Sequence, residues 1–318
     1  MSSTTRVFFA TDIHASTRCF KKFLNSGEHY NAQVLIIGGD VTGKALVPVK
    51  MTASGRAVAF DNGAEVDLNG EREIVRFENR VADAGSYAYR CEPEEYERIS
   101  AEDGLREQLF ERLIEMRMRE WVELADERMA GKGRLVFFSA GNDDIYSIDA
   151  IIDAGEVMKR PEGKCVELDD HCTMISTGLA NETPFHCPRD VPEVELTRVI
   201  DEMAARVPDL SRCVFNLHCP PYKSKLDNAP KLDADLRPRM NAFGIERGPV
   251  GSTAVRDAIE RYQPLLGLHG HIHESKGSAR IGKTLCLNPG SEYHEGTLRG
   301  VLVEIAAGKL KNHTFTTG

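Results

Sequence analysis

The sequence predicts an α/β fold, and three observations carry that expectation. Short apolar runs recur along the chain, helical patterns separate them, and run after run ends in a polar cluster. Short runs rich in β-branched or aromatic residues, closed by Gly, Pro or polar turns, read as buried strands. Strands alternating with helices build a largely parallel or mixed sheet. The 318 residues suffice for a single large domain spanning 1–318, and a hydrophobic content of 41% supplies its core.

In chain order, Arg6-Val7-Phe8-Phe9-Ala10 leads into Thr11-Asp12-Ile13-His14. Thr17 to Asn25 has helical spacing. QVLIIGG then leads into Asp40. Residues 44–131 break the rhythm and read as an insertion that caps the main sheet. Its first part, VPVKMTASGRAVAFDNGAEVDLNG, reads as two or three short strands, a β-hairpin at the least. Its last part, Ala101 to Met129, is one long helix with Leu105, Leu109, Phe110, Leu113, Ile114, Met116, Trp121 and Leu124 on a packing face. RLVFFSAG resumes the pattern and leads into Asn142-Asp143-Asp144. Thr173 to Gly178 is a further strand, and Val191 to Arg206 a helix. RCVFNL leads into His218, and Ser252 to Arg261 is helical. PLLGL leads into His269-Gly270-His271-Ile272-His273, and TLCL into Asn288-Pro289-Gly290-Ser291.

Composition excludes several classes. A net charge of −9 lacks the diffuse positive field that drives non-specific nucleic-acid binding, so no long nucleic-acid partner is expected. An anionic substrate needs a local positive source, which bound divalent cations supply. The eight cysteines form no C-x-x-C pair and read as free thiols of a reducing compartment. The apolar run Val7 to Ala10 is too short for a signal-peptide core. No stretch reaches the roughly 18–20 apolar residues of a membrane helix. The expectation is a cytoplasmic chain without a membrane partner.

In sheets of this kind, ligands bind beyond the carboxyl ends of the strands. Five strand ends here carry Asp, Asn or His. Polar residues mark strand ends in any protein, and a single His-x-His is common on solvated loops. Good metal ligands at five ends make a different pattern, because strand ends of one sheet converge in space. The candidates in order are Asp12, His14, Asp40, Asn142, His218, His271 and His273.

This ordered set resembles the calcineurin-like metallophosphoesterase superfamily, whose signature is D-x-H, G-D, G-N-H, H and G-H-x-H. The motifs extend over residues 7 to 291, with the insertion after the second. HCPPYKSKLD, NETPFHCPRD and NPGSEY further resemble a subgroup of predicted phosphoesterases from bacteria and archaea. The resemblance implies a four-layer αββα sandwich with two central sheets and a site for two divalent metal ions. One ion takes Asp12, His14, Asp40 and His273. The other takes Asp40, Asn142, His218 and His271, with Asp40 bridging. Two like-charged ions about 3.5–4 Å apart need a shared carboxylate, and together they clamp an in-line phosphoryl displacement by a bridging hydroxide. Mixed His, Asp and Asn ligation suits Mn²⁺ first, with Fe or Zn²⁺ as alternatives.

The chain departs from the signature at Asp143, where the family has the histidine that contacts phosphate and protonates the leaving group. An ionised carboxylate there repels phosphate and donates no proton, so another acid is needed. His186 is the candidate, with Arg189 as partner of a non-bridging phosphate oxygen. Lys44 or Thr42 could bind substrate oxygens, and Tyr222 and Lys225 could form a wall. His269 reads as packing, and Glu274 as a carboxylate that orients a ligand imidazole. The expected function is hydrolysis of a small phosphodiester, nucleotides included. A non-catalytic scaffold, a phosphomonoesterase and a nuclease are the alternatives.

Overall fold

The computed structural model describes residues 4–52, 55–61, 63–242 and 244–318. It is a mixed α/β fold built on two six-stranded sheets. In the first, Thr4–Ala10, Val34–Ile37, Leu135–Phe138 and Met158–Lys159 run parallel, and Arg299–Ala306 with Lys309–Thr317 closes the other edge antiparallel. In the second, Thr284–Asn288, Leu266–Leu268, Cys213–Leu217 and Cys172–Thr177 run parallel between antiparallel edges Gly277–Ile281 and Cys165–Asp169.

Successive side chains of a strand face opposite ways, so a strand buried on both faces reads as an unbroken apolar run. Val7, Phe9, Val34, Ile36 and Phe137 point one way and pack against Met174, Val214, Leu266, Leu268, Leu285 and Leu287 of the second sheet. Their neighbours Phe8, Ala10, Leu35, Ile37, Val136 and Phe138 point the other way, into a core shared with helices. Those helices are α1 (Thr17–His29), α4 (Asp103–Met129) and α5 (Ile148–Asp153), with α2 (Glu71–Asp83) and α3 (Pro93–Ala101) between them in sequence. The outer face of the second sheet, through Ile175, Phe215, Leu217 and Cys286, meets α6 (Glu193–Ala204) and α7 (Thr253–Tyr262).

Helix starts follow their caps. The Ser16 side chain accepts from Cys19 N at the start of α1, and that of Ser252 accepts from Val255 N at the start of α7. Along α4, Ile114, Met118, Trp121, Val122 and Ala125 form the buried face. Trp121 stacks on Phe20 of α1 with centroids 4.3 Å apart and meets Phe138 edge-on. Met116, read from the sequence as part of that face, is instead 49% exposed.

The insertion holds more than the expected hairpin and long helix. Leu46–Met51, Arg56–Asp61 and Ala64–Asn69 form an antiparallel meander. Helix α2 then carries the chain back, so that Tyr87–Cys91 pairs parallel with Leu46–Met51. Val49, Ala57, Ala59, Leu68, Ile74, Phe77 and Val81 form its own core. Helix α2 was hidden in the sequence because only Ile74, Phe77 and Val81 are buried among many charges. No helix among the described residues is long and apolar enough to cross a membrane.

Trp121 is 1% exposed, so Trp121→Ala empties a packed site between α1, α4 and the first sheet. The expected cost is about 3–5 kcal/mol. Met116→Ala should cost almost nothing. Urea unfolding of the two variants checks this, and equal midpoints would refute the assigned face.

Candidate metal centre

Carboxyl ends of both sheets meet at one place. Asp12, His14, Asp40 and Asn142 follow strands of the first sheet, and His218, His271 and His273 follow strands of the second. The loops are tied to each other largely through their backbones. Asp12 N donates to Gly39 O and His14 N to Asp40 O, at 2.9 and 3.0 Å. Gly270 N donates to His218 O, and His271 N to the Asp12 carboxylate at 3.0 Å. Asp12, His14, Asp40 and His271 all take left-handed φ, of 53°, 36°, 49° and 65°. Such conformations cost non-glycine residues about 1–3 kcal/mol and persist where the surroundings impose them, typically at functional sites. Gly39 and Gly270 are required by close approach. A Cβ at Gly39 would lie 2.4 Å from His218 Nδ1, and one at Gly270 2.3 Å from Asp12 Oδ2.

The side chains fall into two groups that share Asp40: Asp12, His14, Asp40 and His273, then Asp40, His218 and His271. The ligand atoms of each group lie within 4.8 Å of one another, and either group could hold a metal ion. His14 Nε2 is 3.0 Å from His273 Nε2 and 3.8 Å from Asp40 Oδ2. His273 Nε2 is 3.4 Å from Asp12 Oδ1, and His218 Nε2 is 3.3 Å from Asp40 Oδ1. Asn142 joins the second group. Its amide nitrogen donates to Asp190 at 2.9 Å, which turns Oδ1 to 2.9 Å from His271 Nδ1.

These residues fit metal ions on three counts. His14 Nδ1 lies 3.1 Å from Thr42 O, and His218 Nδ1 lies 3.1 Å from Gly38 O. A carbonyl only accepts, so each Nδ1 carries the proton and a neutral ring presents its Nε2 lone pair inward. His218 Nε2 is buried without a well-aligned hydrogen bond, Asp40 Oδ1 standing 3.3 Å away. Two imidazole nitrogens and two carboxylates face one small volume, an arrangement that a cation resolves and that burial otherwise penalises.

Charge tells the same story. Burial pushes Asp12 up, but the hydrogen bond and charge of His273 outweigh it and hold the carboxyl at about 2. Burial acts likewise on Asp40, and His218, His14 and His271 together hold it well below the carboxylate range. Burial pushes His14 down to about 4, against Asp40. Burial opposes the charge on His218 too, yet Asp40 beside it raises the ring to about 10. His273 is raised by Asp12 against burial, and His271 is lowered by burial. Without a cation, protons on His218 and His273 balance the carboxylates.

Two residues that sequence reasoning passed over support the site. Asp144 accepts from Gly141 N, Val41 N, Thr42 N and Thr42 Oγ1 at 2.7–3.0 Å, clamping the loop that carries Asp40. Burial and nearby Asp40 raise its carboxyl to about 6. Tyr293, in the NPGSEY stretch, packs on His14 with ring centroids 4.6 Å apart and edge-on to His273. The motif was visible, but its contact with His14 is not local in sequence.

Other expectations are corrected. Arg189 does not reach toward a phosphate. It is 2% exposed, pairs with Asp149 at 2.7 Å and donates to Asp144 O and Ile145 O, all of which use up its guanidinium inside the fold. His186 is not brought to the cluster. Thr183, Phe185 and Cys187 line the cavity, while His186 has left-handed φ and is exposed outside that wall. Glu274 meets Arg247 at 3.6 Å rather than an imidazole. Lys225 is exposed and Tyr222 half-buried, and neither lines the cavity. Thr42 is buried against Asp144. His269 is buried, with Nδ1 donating to Leu217 O at 2.8 Å, and burial holds it neutral, at about 4. Asp143 stands on the rim, paired with Lys44.

Asp40, Asn142, His271 and His273 of these groups line a cavity of about 720 Å³. Its walls come from residues 181–185 with Cys187, and from 229–233 with Leu236, Pro238 and Arg239, together with Val250, Ile272 and Glu274. The cysteines are free thiols, and only Cys165 and Cys187 are less than fully buried.

No family model matches the sequence. An uncharacterized protein of Methanocaldococcus jannaschii is 26% identical over 193 residues, covering 54% of this chain and 80% of that protein. The crystal structure of TT1561 of Thermus thermophilus is similar over 99% of both chains, with 13% identity and a TM-score of 0.53. Another crystal structure gives 14% identity and a TM-score of 0.54 over the same share. At these identities the likeness concerns the fold.

Metal ions should displace protons from His218 and His273, whereas Asp12 and Asp40 are ionised already. Mn²⁺ affinity should therefore rise with pH, from neutrality up to about 10 for His218. Calorimetry in buffers of different ionisation enthalpy should register net proton release at about pH 7. Buffer-independent heats and a flat pH profile would contradict this assignment. Asp40→Ala should lose metal from both groups, read by elemental analysis of the purified chain.

Proposed function

We propose that this chain is a metal-dependent phosphoesterase that hydrolyses a phosphodiester with two divalent cations sharing Asp40. The observation that carries the reading is the pair of ligand groups joined at Asp40, which lines a cavity. One cation takes Asp12, His14, Asp40 and His273, and the other takes Asp40, Asn142, His218 and His271. Such a pair activates water at neutral pH and offsets charge on the phosphoryl oxygens. Mixed oxygen and imidazole ligation favours Mn²⁺, with Fe or Zn²⁺ close behind.

The chain's own residues fix the geometry. Thr42 O and Gly38 O orient two imidazoles, Asp190 turns Asn142, and Asp144 locks the Asp40 loop. Groups that only orient ligands typically matter by about 10–100-fold in affinity or activity. The order of the three large cores, helices on sheet, sheet on sheet, sheet on helices, supports the four-layer sandwich of the calcineurin-like metallophosphoesterases.

The cavity lies within the roughly 300–1,000 Å³ usual for small-molecule sites. Its wall cations Lys231 and Arg239 both face Glu246, so no open basic track runs along it for a long nucleic acid. Paired with Lys44, Asp143 leaves no surplus positive charge beside the cluster, which suits a monoanionic diester better than a dianionic monoester. A small diester, nucleotides included, is therefore the substrate class we favour. The free thiols agree with a reducing, cytoplasmic setting.

With Mn²⁺ and bis(4-nitrophenyl) phosphate, His271→Ala and His273→Ala should each lose well over ~10²-fold in kcat/KM. His269→Ala should keep its metal content and lose far less. Equal losses at all three positions, or a metal-loaded chain that hydrolyses no phosphoester, would overturn the reading. Because His186 stands outside the cavity wall, His186→Ala should leave the dependence of rate on leaving-group pKa unchanged. A steeper dependence in that variant would restore it as the acid.

A further inference from the structure

The family histidine that contacts phosphate is replaced by Asp143, and neither His186 nor Arg189 stands in for it. The structure shows what occupies that place. Asp143 is held from three sides. Its backbone N donates to Asp40 Oδ1 at 3.1 Å. Its Oδ1 accepts from the Cys187 thiol at 2.8 Å. Its Oδ2 binds the Lys44 ammonium. A carboxylate that accepts from two donors is an anchor rather than an acid.

Lys44 lines the same cavity as Asp40, Asn142, His271 and His273. Its ammonium binds Asp143, whose backbone N donates to Asp40 Oδ1 at 3.1 Å, so the lysine head stands beside the cluster. Lys231 and Arg239, the other two cations of the cavity wall, face Glu246 instead. A lysine ammonium has three donors, and Asp143 takes one. A lone lysine is flexible, and the anchored carboxylate limits where its head can go.

We propose that Lys44 is a catalytic residue that donates hydrogen bonds to the phosphoryl group and the leaving oxygen, and that Asp143 is its positioning residue. The inference rests on the phosphoesterase reading. The pair takes over the electrostatic part of the missing histidine's work. No proton transfer is required: the ammonium stabilises charge developing on the leaving oxygen, as preorganised donors do elsewhere. Because Asp143 cancels the lysine charge at rest, the rim remains acceptable to a monoanionic diester.

The test uses the full chain loaded with Mn²⁺ and compares wild type with Lys44→Met, Lys44→Arg, Asp143→Ala and the Lys44→Met/Asp143→Ala double variant. Metal content should stay at the wild-type level in all four. Inorganic phosphate should bind Lys44→Met roughly 10- to 100-fold more weakly by calorimetry. Loss of one such donor should lower kcat by about 10²–10³-fold for alkyl or ribose leaving groups. The loss should be much smaller for 4-nitrophenol, steepening the dependence on leaving-group pKa. Lys44→Arg should recover part of both losses. Asp143→Ala should add little once Lys44 is gone, because it acts through Lys44. Unchanged phosphate affinity and an unchanged slope in Lys44→Met at full metal content would overturn the proposal. So would an Asp143→Ala effect that persists undiminished in the double variant. If wild type binds phosphate through Lys44 but hydrolyses no ester, the phosphoesterase reading fails while the phosphate contact stands.

Discussion

The structure is organised around the buried carboxylate of Asp40. An ionised carboxylate taken out of water is costly unless paired and hydrogen-bonded. Asp40 is 2% exposed and lies between imidazoles from different strands, His218 at 3.3 Å and His14 at 3.8 Å. Its Oδ1 also accepts from Asp143 N. A second buried carboxylate, Asp12, meets His273 and the backbone of His271. Holding two such groups in one small volume dictates much of what surrounds them: the left-handed turns, the two glycines pressed against ligand atoms, and the Asp144 clamp. In this setting a bound cation would relieve the cost, and protons on the raised imidazoles of His218 and His273 are the fallback.

The two sheets explain how this arrangement is held. Neither sheet carries a complete set of ligands. Asp12, His14, Asp40 and Asn142 belong to one, and His218, His271 and His273 to the other. The apolar contact of Val7, Phe9, Val34, Ile36 and Phe137 with Met174, Val214, Leu266, Leu268, Leu285 and Leu287 therefore sets the spacing of the ligands as well as the stability of the fold. Close-packed interiors yield little, so the distance between the sheets is a firm constraint on the site. Hydrogen bonds cross between the two halves at the site: His271 N to Asp12, and the Ser291 hydroxyl to Asp12 O.

The insertion is built on another plan. It has its own small core, and its long helix α4 seals the first sheet through Trp121, Met118 and Ile114. It also reaches the edge of the site. Ser16 Oγ donates to Asp83 O at 2.6 Å, and Arg117 donates to Ala15 O just after His14. Residues 44–131 thus brace the turn that carries Asp12 and His14, and they begin with Lys44, whose ammonium meets Asp143 across the cavity rim.

Several features were legible in the sequence because they are local. Apolar runs such as VLII and LVFF mark strands buried on both faces, and the polar residues after them mark strand ends, so the α/β class and the ordered set from Asp12 to His273 could be read directly. Ser16 and Ser252 announce helix starts by chemistry confined to one turn. What failed was contact between residues distant in sequence. Arg189 looked free to meet a phosphate, yet Asp149 and two carbonyls claim it. His186 looked poised on a rim loop, yet it is exposed and is not among the residues that line the cavity. Helix α2 was lost among charges because its three buried residues pack into the insertion's own small core. Tyr293 on His14, Asp144 on the Asp40 loop and Lys44 on Asp143 join segments far apart in the chain. Residue type and spacing thus determined which groups could bind metal and roughly where each strand would end. Only the tertiary structure decided how those groups share Asp40 and which neighbouring charges remain available, because burial and pairing depend on what the fold brings alongside each residue.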